Sequence, residues 1–556
     1  MFVPSLKAST GYTLVEAFSV CLCHNIFGTM DTKTTTLLEP LTKLIPLGHP
    51  SASLRIMMVL PEVFPYASVG GVSRVGAYLA RELVKLGHDV RLFMPKYGFI
   101  DEEKYPLEMV VEGLKVYTDA DGNGPKELVC NVKTHRGEDG VRTYFLENME
   151  YYEQRANVYG YSDDPIRFAL LARGALEFLR HFEWKPQVIH AHDWQTGAVP
   201  NFLRTAYAKS QDLKGIASIF TIHNLFYQGM FDHRQVPELD FDDGRSRIAP
   251  LFSDRLRKQN FMKRGIIYAD AVNTVSESYA REILTPEYGE GLDRLLLEVR
   301  SKLFGITNGL DYEDYDPETD PLVPQSYNFH TIDRKKINKR ALQKEFGLPE
   351  GEEHFVVGMV SRLTEQKGLD ILMEALPSLL SELDVQFIVV GGGEEKYVSG
   401  LRALQKLFPK KVGTHLMLNY TLPRLIYAGA DVITVPSRFE PAGLTQLEAM
   451  RYGCVPIVRK TGGLADTVTD LDISGETGTG FSFGEYTPWA LYGALVRAYE
   501  NFHHPKVWEA LVKRAMKADF SWTASARHYA DLYRRAIQLK EKEAKGGPSR
   551  IASLEE

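Results

Sequence analysis

The chain reads as an α/β protein made of two doubly wound, Rossmann-like domains that face each other across a deep cleft. Three observations predict this. Short apolar runs without polar alternation recur along the chain, as expected of parallel strands covered on both faces. Most end in polar residues or glycine, and the clearest lead into a helical periodicity, which is the pattern of a βαβ unit. An Asp- and Pro-rich stretch, Leu310 to Gln325, interrupts the series and divides it in two.

In chain order, residues 1–53 read as an N-terminal extension. Thr13 to Phe27 is apolar but broken by Glu16 and has no small-residue cleavage site, so a secretory signal is not supported. An organellar address is weakened by the absence of Arg there, and Met30 offers an internal start. Cys21, Cys23 and His24 lack a second ligand pair for a metal. The first domain spans 54–309. Its first strand is Leu54 to Leu60, followed by a Gly70-Gly71 turn, a helix with Val75, Leu79, Leu83 and Leu86 on one face, and a strand at His88 to Pro95. Further strands are expected at Val188 to Trp194, Ser218 to Asn224, Asp270 to Ser276 and Lys302 to Gly309. After the connection at 310–325, the second domain, 326–487, carries strands at His354 to Arg362, Val385 to Gly393, Asp431 to Ser437 and Val455 to Val458. Helices fill 488–540 and are expected to pack back toward the first domain. Residues 541–556 read as a disordered charged tail.

Composition narrows the function classes. The 556 residues are 44% hydrophobic and 25% charged, ordinary for a globular protein. A net charge of −7 argues against a general nucleic-acid partner, and no apolar run reaches the roughly 20 residues of a membrane span. Four scattered cysteines make no disulfide framework, so a reducing cytoplasm is expected.

The chemistry-bearing residues cluster at predicted strand ends, where open α/β sheets bind ligands. Glu440 lies on such a loop just before a helix, and Gly443, Leu444 and Thr445 form the turn into that helix, whose amides suit a phosphate. A lone Glu there ordinarily caps the helix or pairs with a cation. The Gly443 turn, the Thr445 hydroxyl and a second Gly-rich turn at Lys460 to Val468 shift the reading toward a site. Arg362 and Lys367, at another strand end, suit a diphosphate, Arg as a fork and Lys as a point charge. In the first domain, His190-Ala191-His192-Asp193-Trp194 and Thr221-Ile222-His223-Asn224 invite a metal reading, but no third and fourth ligand can be identified. A polar wall for sugar hydroxyls fits better, with Trp194, Tyr227 and Gln228 alongside. The Asp119 to Cys130 stretch starts like a calcium loop but ends in Cys in place of Glu, and no P-loop or nucleophile elbow is present.

From Leu54 to Trp522 the sequence resembles the glycogen and starch synthases, glycosyltransferase family 5. The resemblance rests on EVFPYASVGGV, HAHDWQTGAVP, FTIHNLFYQGMF, NTVSESYAREI, YGEGLD, GITNGLDYEDYDP, VSRLTEQKGLDIL, SRFEPAGLTQLEAM and TGGLADTV. It implies a GT-B fold and retaining transfer of glucose from a nucleotide-glucose, with ADP-glucose favoured over UDP-glucose, to the non-reducing end of an α-1,4-glucan such as glycogen or starch. No cofactor and no metal are implied, and the oligomeric state is left open. Carried over by motif, Arg362 and Lys367 hold the donor diphosphate and Glu440 is the acid at the sugar. Gly443, Leu444 and Thr445 form the phosphate-side turn, His223 and Asp193 contact the transferred glucose, and Gly70 and Gly71 let the first loop approach the donor. Two departures bear on donor choice: Ser68 stands where the family has Lys, and Arg74 where it has Asp or Glu. Ala442 replaces a common Cys. Two alternatives stay beside this reading: a related transferase with a small-sugar or lipid-linked acceptor, and an inactive glucan-binding or regulatory protein.

Overall fold

The computed structural model describes residues 52–120, 124–229 and 242–546. The expectations for the N-terminal extension up to residue 51, for Asp121–Asn123 of the calcium-like loop and for residues 547–556 of the tail lie outside these. Two sheets carry the fold. The first contains β1 (Arg55–Val59), β2 (Asp89–Pro95), β3 (Glu108–Tyr117), β4 (Glu127–Arg136), β5 (Arg142–Glu147), β6 (Val188–His192), β7 (Ala217–Ile222), β8 (Ala271–Thr274) and β9 (Leu303–Gly305). Its order is β3-β4-β5-β2-β1-β6-β7-β8-β9. The second contains β10 (Phe355–Val360), β11 (Val385–Val390), β12 (Val412–His415), β13 (Val432–Val435), β14 (Val455–Arg459) and β15 (Phe481–Phe483), in the order β12-β11-β10-β13-β14-β15. All pairings in the second sheet are parallel.

The unalternated apolar runs are the strands buried on both faces: β6, β7, β8, β11 and β13 are buried at every position. The pattern reading missed β3, β4 and β5. β3 and β4 pair antiparallel, as do β4 and β5. β4 buries only Cys130, Val132 and Thr134, with partly open residues between them, and β3 is largely exposed. The outer strands β3 and β4 carry no apolar run, and charged residues on their open face mask them, whereas β5 is buried only over residues 143–146, between Arg142 and Glu147.

Helix Gly71–Lys85 lays Val75, Leu79 and Leu83 against the first core. The C-terminal helices were expected to pack back as a group, but they divide. Pro488–Phe502 and Pro505–Lys517 keep Leu491, Leu495, Leu511 and Met516 in the second core. Only Trp522–Ala544 returns, burying Trp522, Tyr529 and Tyr533 in the first. The two crossings lie side by side, Leu310 pairing with Ser521. The last helix also runs into the segment read as a tail, because Glu543 reaches Arg204 at 2.8 Å. No helix among the described residues is long and apolar enough to cross a membrane.

Candidate active site

Strand order decides where ligands can enter. In the first sheet the chain runs from β1 out to β2 and later returns to β6 on the other side of β1. In the second it runs from β10 out to β11 and β12, then returns to β13 beside β10. Each reversal opens a crevice beyond the carboxyl ends of two adjacent strands. One is bounded by Glu62 and Asp193, the other by Arg362, Lys367 and Glu440.

At the second crevice the two loops are zipped together. Arg438 donates its backbone N–H to the Gln366 carbonyl at 2.8 Å, and its guanidinium meets Glu365 at 2.6 Å. This sets the Lys367 ammonium 2.5 Å from Glu440 Oε2, where the Ser437 hydroxyl also donates at 3.0 Å. Glu440 is buried at 8% exposure, so its charge has these two neighbours in place of bulk water. Arg362 stands exposed at the rim, with one contact to Gln366 at 3.4 Å. Gly368 makes the approach possible: its φ is +76°, and a Cβ would fall 2.1 Å from the Pro436 carbonyl oxygen. Gly368→Ala is therefore expected to cost about 1–3 kcal/mol from the backbone conformation alone, with a further loss from displacing Pro436. Urea unfolding of the variant beside the parent protein measures it.

Gly443 turns with φ +68°, and the Gln446 side chain ties the turn down by donating to the Gly443 carbonyl at 2.8 Å. Leu444 precedes a helix, Thr445–Arg451, of seven residues, and no side chain caps it. What it offers an anion is the open amides of its first turn. The other Gly-rich turn is already filled: Glu282 of the first domain accepts from the Gly462 N–H at 2.8 Å and from the Thr461 hydroxyl at 3.2 Å.

At the first crevice Glu62, 1% exposed, accepts the backbone N–H groups of Val69 and Gly70 and the Tyr159 hydroxyl. Burial pushes its carboxyl up in spite of those three bonds. Gly70 is thus committed to Glu62, whereas Gly71 opens onto free space. Ser68 is exposed, with its hydroxyl 2.8 Å from that of Ser73. Asp193 has φ +61° and ψ 178°, a region costly for any residue but glycine. Burial pushes its carboxyl up to about 7, against the amides of His223, Asn224 and Trp194, and Oδ1 has no hydrogen-bond partner.

The histidines form a stack. His190 lies against His192 with ring centroids 3.9 Å apart, and His192 Nδ1 meets His223 Nε2 at 3.1 Å. His190 uses both nitrogens on hydroxyls, those of Tyr533 and Thr221. Burial pushes all three imidazoles down, which keeps them neutral at pH 7. Trp194 is no sugar platform, because its ring is buried edge-on to Phe168. Tyr227 is exposed and open to the solvent side. The Gln228 amide is engaged at both ends, with the Glu290 carbonyl and with Asn260, so it braces the loop. The Asn224 side chain holds the Phe226 N–H at 3.1 Å.

The two crevices meet through Ser276, whose hydroxyl donates to the Pro441 carbonyl at 2.6 Å. Ser278 adds a second tie, its N–H donating to Asp466 at 2.8 Å. Glu62, Tyr159, Ser276 and Glu282 escaped the sequence reading. The signal for Glu62 was a lone acid directly after an apolar strand; for the others it was absent. An exposed apolar ledge, Met417, Leu418 and Tyr420, follows β12 beside Gly392. It too was missed, because β12 has only four residues.

Residues 55–298 match the family described as starch synthase catalytic domain, and residues 340–514 match glycosyl transferases group 1. The chain is 40% identical over 492 residues to a glycogen synthase of Geotalea daltonii, covering 88% of this chain and 100% of that protein. It is equally similar, 40% over 492 residues, to a glycogen synthase of Geobacillus stearothermophilus, with 88% and 99% covered. Among solved structures, the catalytic domain of starch synthase IV from Arabidopsis thaliana, bound to ADP and acarbose, superposes with a TM-score of 0.76 at 33% identity. That match covers 88% of this chain and 100% of the other. A sucrose-phosphate synthase from Thermosynechococcus elongatus, at 19% identity and a TM-score of 0.52, shares the fold.

Proposed function

The chain belongs to the glycogen and starch synthase family of GT-B glycosyltransferases, and on that premise we propose that it extends an α-1,4-glucan with glucose from a nucleotide-glucose, retaining the anomeric configuration. The observation that carries this reading is the pair of facing switch-point crevices, one bearing Lys367 and Glu440 and the other Asp193.

Breaking the glucose–phosphate bond develops negative charge on the diphosphate and positive charge on the sugar ring. Lys367, Arg362 and the amides around Gly443, Leu444 and Thr445 oppose the first. The Lys367–Glu440 pair is the resting arrangement. An arriving diphosphate competes for the ammonium, and Glu440 is then turned to the sugar. Asp193 Oδ1 accepts a sugar hydroxyl, and His223, held neutral, contacts the same glucose. No second carboxylate stands ready as a nucleophile in this reading, so the acceptor hydroxyl attacks from the face the diphosphate leaves. Closure of the domains limits hydrolysis by excluding water. The ledge of Met417, Leu418 and Tyr420 suits the flat face of a nucleobase. The ADP bound to the solved starch synthase IV domain favours ADP-glucose as donor. A cytoplasmic setting accords with two buried free thiols, Cys130 and Cys454.

The test is incubation with glycogen and either ADP-glucose or UDP-glucose. The expected result is release of nucleoside diphosphate with lengthened chains, faster with ADP-glucose. Release with neither donor overturns the reading.

A further inference from the structure

The loop that faces the donor differs from the family pattern at two places, and the structure gives each an engagement. The Ser68 hydroxyl is engaged by that of Ser73. Arg74, one turn into helix Gly71–Lys85, donates from its guanidinium to the Tyr315 hydroxyl at 3.2 Å. That bond joins the two domains. Arg74 is on a helix of the first core, while Tyr315 is buried in the second.

Tyr315 is a fixed post. The Arg424 guanidinium lies over its ring at 3.6 Å, and Arg451 Nε donates to its carbonyl at 3.2 Å. Its hydroxyl also lies against the Glu448 carboxylate, which the Tyr427 hydroxyl holds at 2.7 Å. Glu448 is in the short helix that begins at Thr445. Farther along the Arg74 helix, Arg81 pairs with Asp311 at 2.7 Å and Lys85 with Glu313 at 2.9 Å. Asp311 and Glu313 lie in the same 310–325 segment as Tyr315, and Arg74 is the contact of this row nearest the Gly70–Gly71 loop.

We propose that Arg74 is a positioning residue for the nucleotide-glucose donor: through Tyr315 and Glu448 it holds the Gly70–Gly71 loop over the Thr445 helix and biases the cleft toward its closed, donor-binding form. The inference rests on the reading of the cleft as a donor site. Its physical content is a population shift. A ligand that binds the closed form has its apparent dissociation constant divided by the closed fraction, so loosening the strut weakens donor binding and leaves the saturated rate nearly intact. A hydrogen bond from a charged donor is strong enough to shift such an equilibrium about tenfold.

Arg74→Ala, Tyr315→Phe and the double variant test this. Tyr315→Phe removes the hydroxyl alone and keeps the ring under Arg424. Each single variant is expected to raise the donor KM about tenfold, with kcat within threefold and the glucan KM unchanged. The double variant should match the singles, because one bond is lost in all three. A merely structural role would lower the melting temperature and the active fraction without moving KM. An unchanged donor KM in both singles, or effects that add in the double, overturns the proposal. Calorimetric binding of ADP and UDP separates this from the parent reading. If the unaltered protein turns over neither donor, that reading fails, and the strut stands only if the variants still bind nucleoside diphosphate about tenfold more weakly. Equal binding overturns it.

Discussion

Lys367→Ala should lower kcat/KM by about 10²–10³, the usual loss when one preorganised charge partner is removed from a transition state. Two effects act together. The departing diphosphate loses an ammonium, and Glu440, 8% exposed, keeps only the Ser437 hydroxyl beside it. Leaving a buried charge without its partner is the costly way to break such a pair. The variant should therefore also be less stable than Lys367→Ala/Glu440→Gln, in which the orphaned charge is gone. Lys367→Arg should rescue little, because a planar fork does not fit where a compact ammonium sits 2.5 Å from a carboxylate oxygen. Steady-state kinetics and thermal unfolding of the four proteins decide. Retention of kcat/KM within threefold in Lys367→Ala would remove Lys367 from the diphosphate site.

Asp193→Asn should cost about 10² in kcat/KM while leaving the fold intact. The substitution keeps the shape and replaces a buried carboxyl that ionises at about 7 by a neutral amide. Its stability should carry a signature in pH. The Asp193 carboxyl sits at about 7 in the folded protein against a usual 3.8, so the folded chain binds the extra proton between these values. The associated stability is present in full below pH 3.8 and is lost as pH rises through 7. By the free-energy equivalent of a pKa difference this amounts to at most on the order of 4 kcal/mol. Asp193→Asn removes this dependence, so the variant should gain on the parent protein as pH rises from about 4 to 7. His190, His192 and His223 tilt both proteins the other way. Their folded values are pushed down by burial, so stability is lost as pH falls below the ordinary imidazole value of 6.5. Because that contribution is common to both, it cancels in the difference. Urea unfolding at several pH values reads the result. A difference that stays flat from pH 4 to 7 would mean that Asp193 titrates as an ordinary solvated carboxyl.

Much of this was legible in the residues. The doubly buried strands announce themselves as unbroken apolar runs, and the residues at their carboxyl ends, Asp193, His223, Arg362 and Glu440, were named from that position together with their side-chain chemistry and the family motifs. The outer strands β3 and β4 were hidden because a strand with one wet face spends half its positions on polar side chains, and β5 because its buried run, residues 143–146, is only four long. Trp194 and Gln228 were given sugar-facing roles by residue type, but packing against Phe168 and bonding to Asn260 turn them into braces.

By itself the amino-acid order determined the two-domain α/β plan, the family and the loops that carry charge, because apolar periodicity and short motifs are local properties. Only the tertiary structure decided that Lys367 meets Glu440, that Glu62 occupies the amides of Val69 and Gly70, that Arg74 crosses to Tyr315 and that the last helix returns to the first core. Each of these joins segments distant along the chain, or turns on which groups face a crevice. The order in which parallel strands lie side by side sets both, and no local pattern records that order.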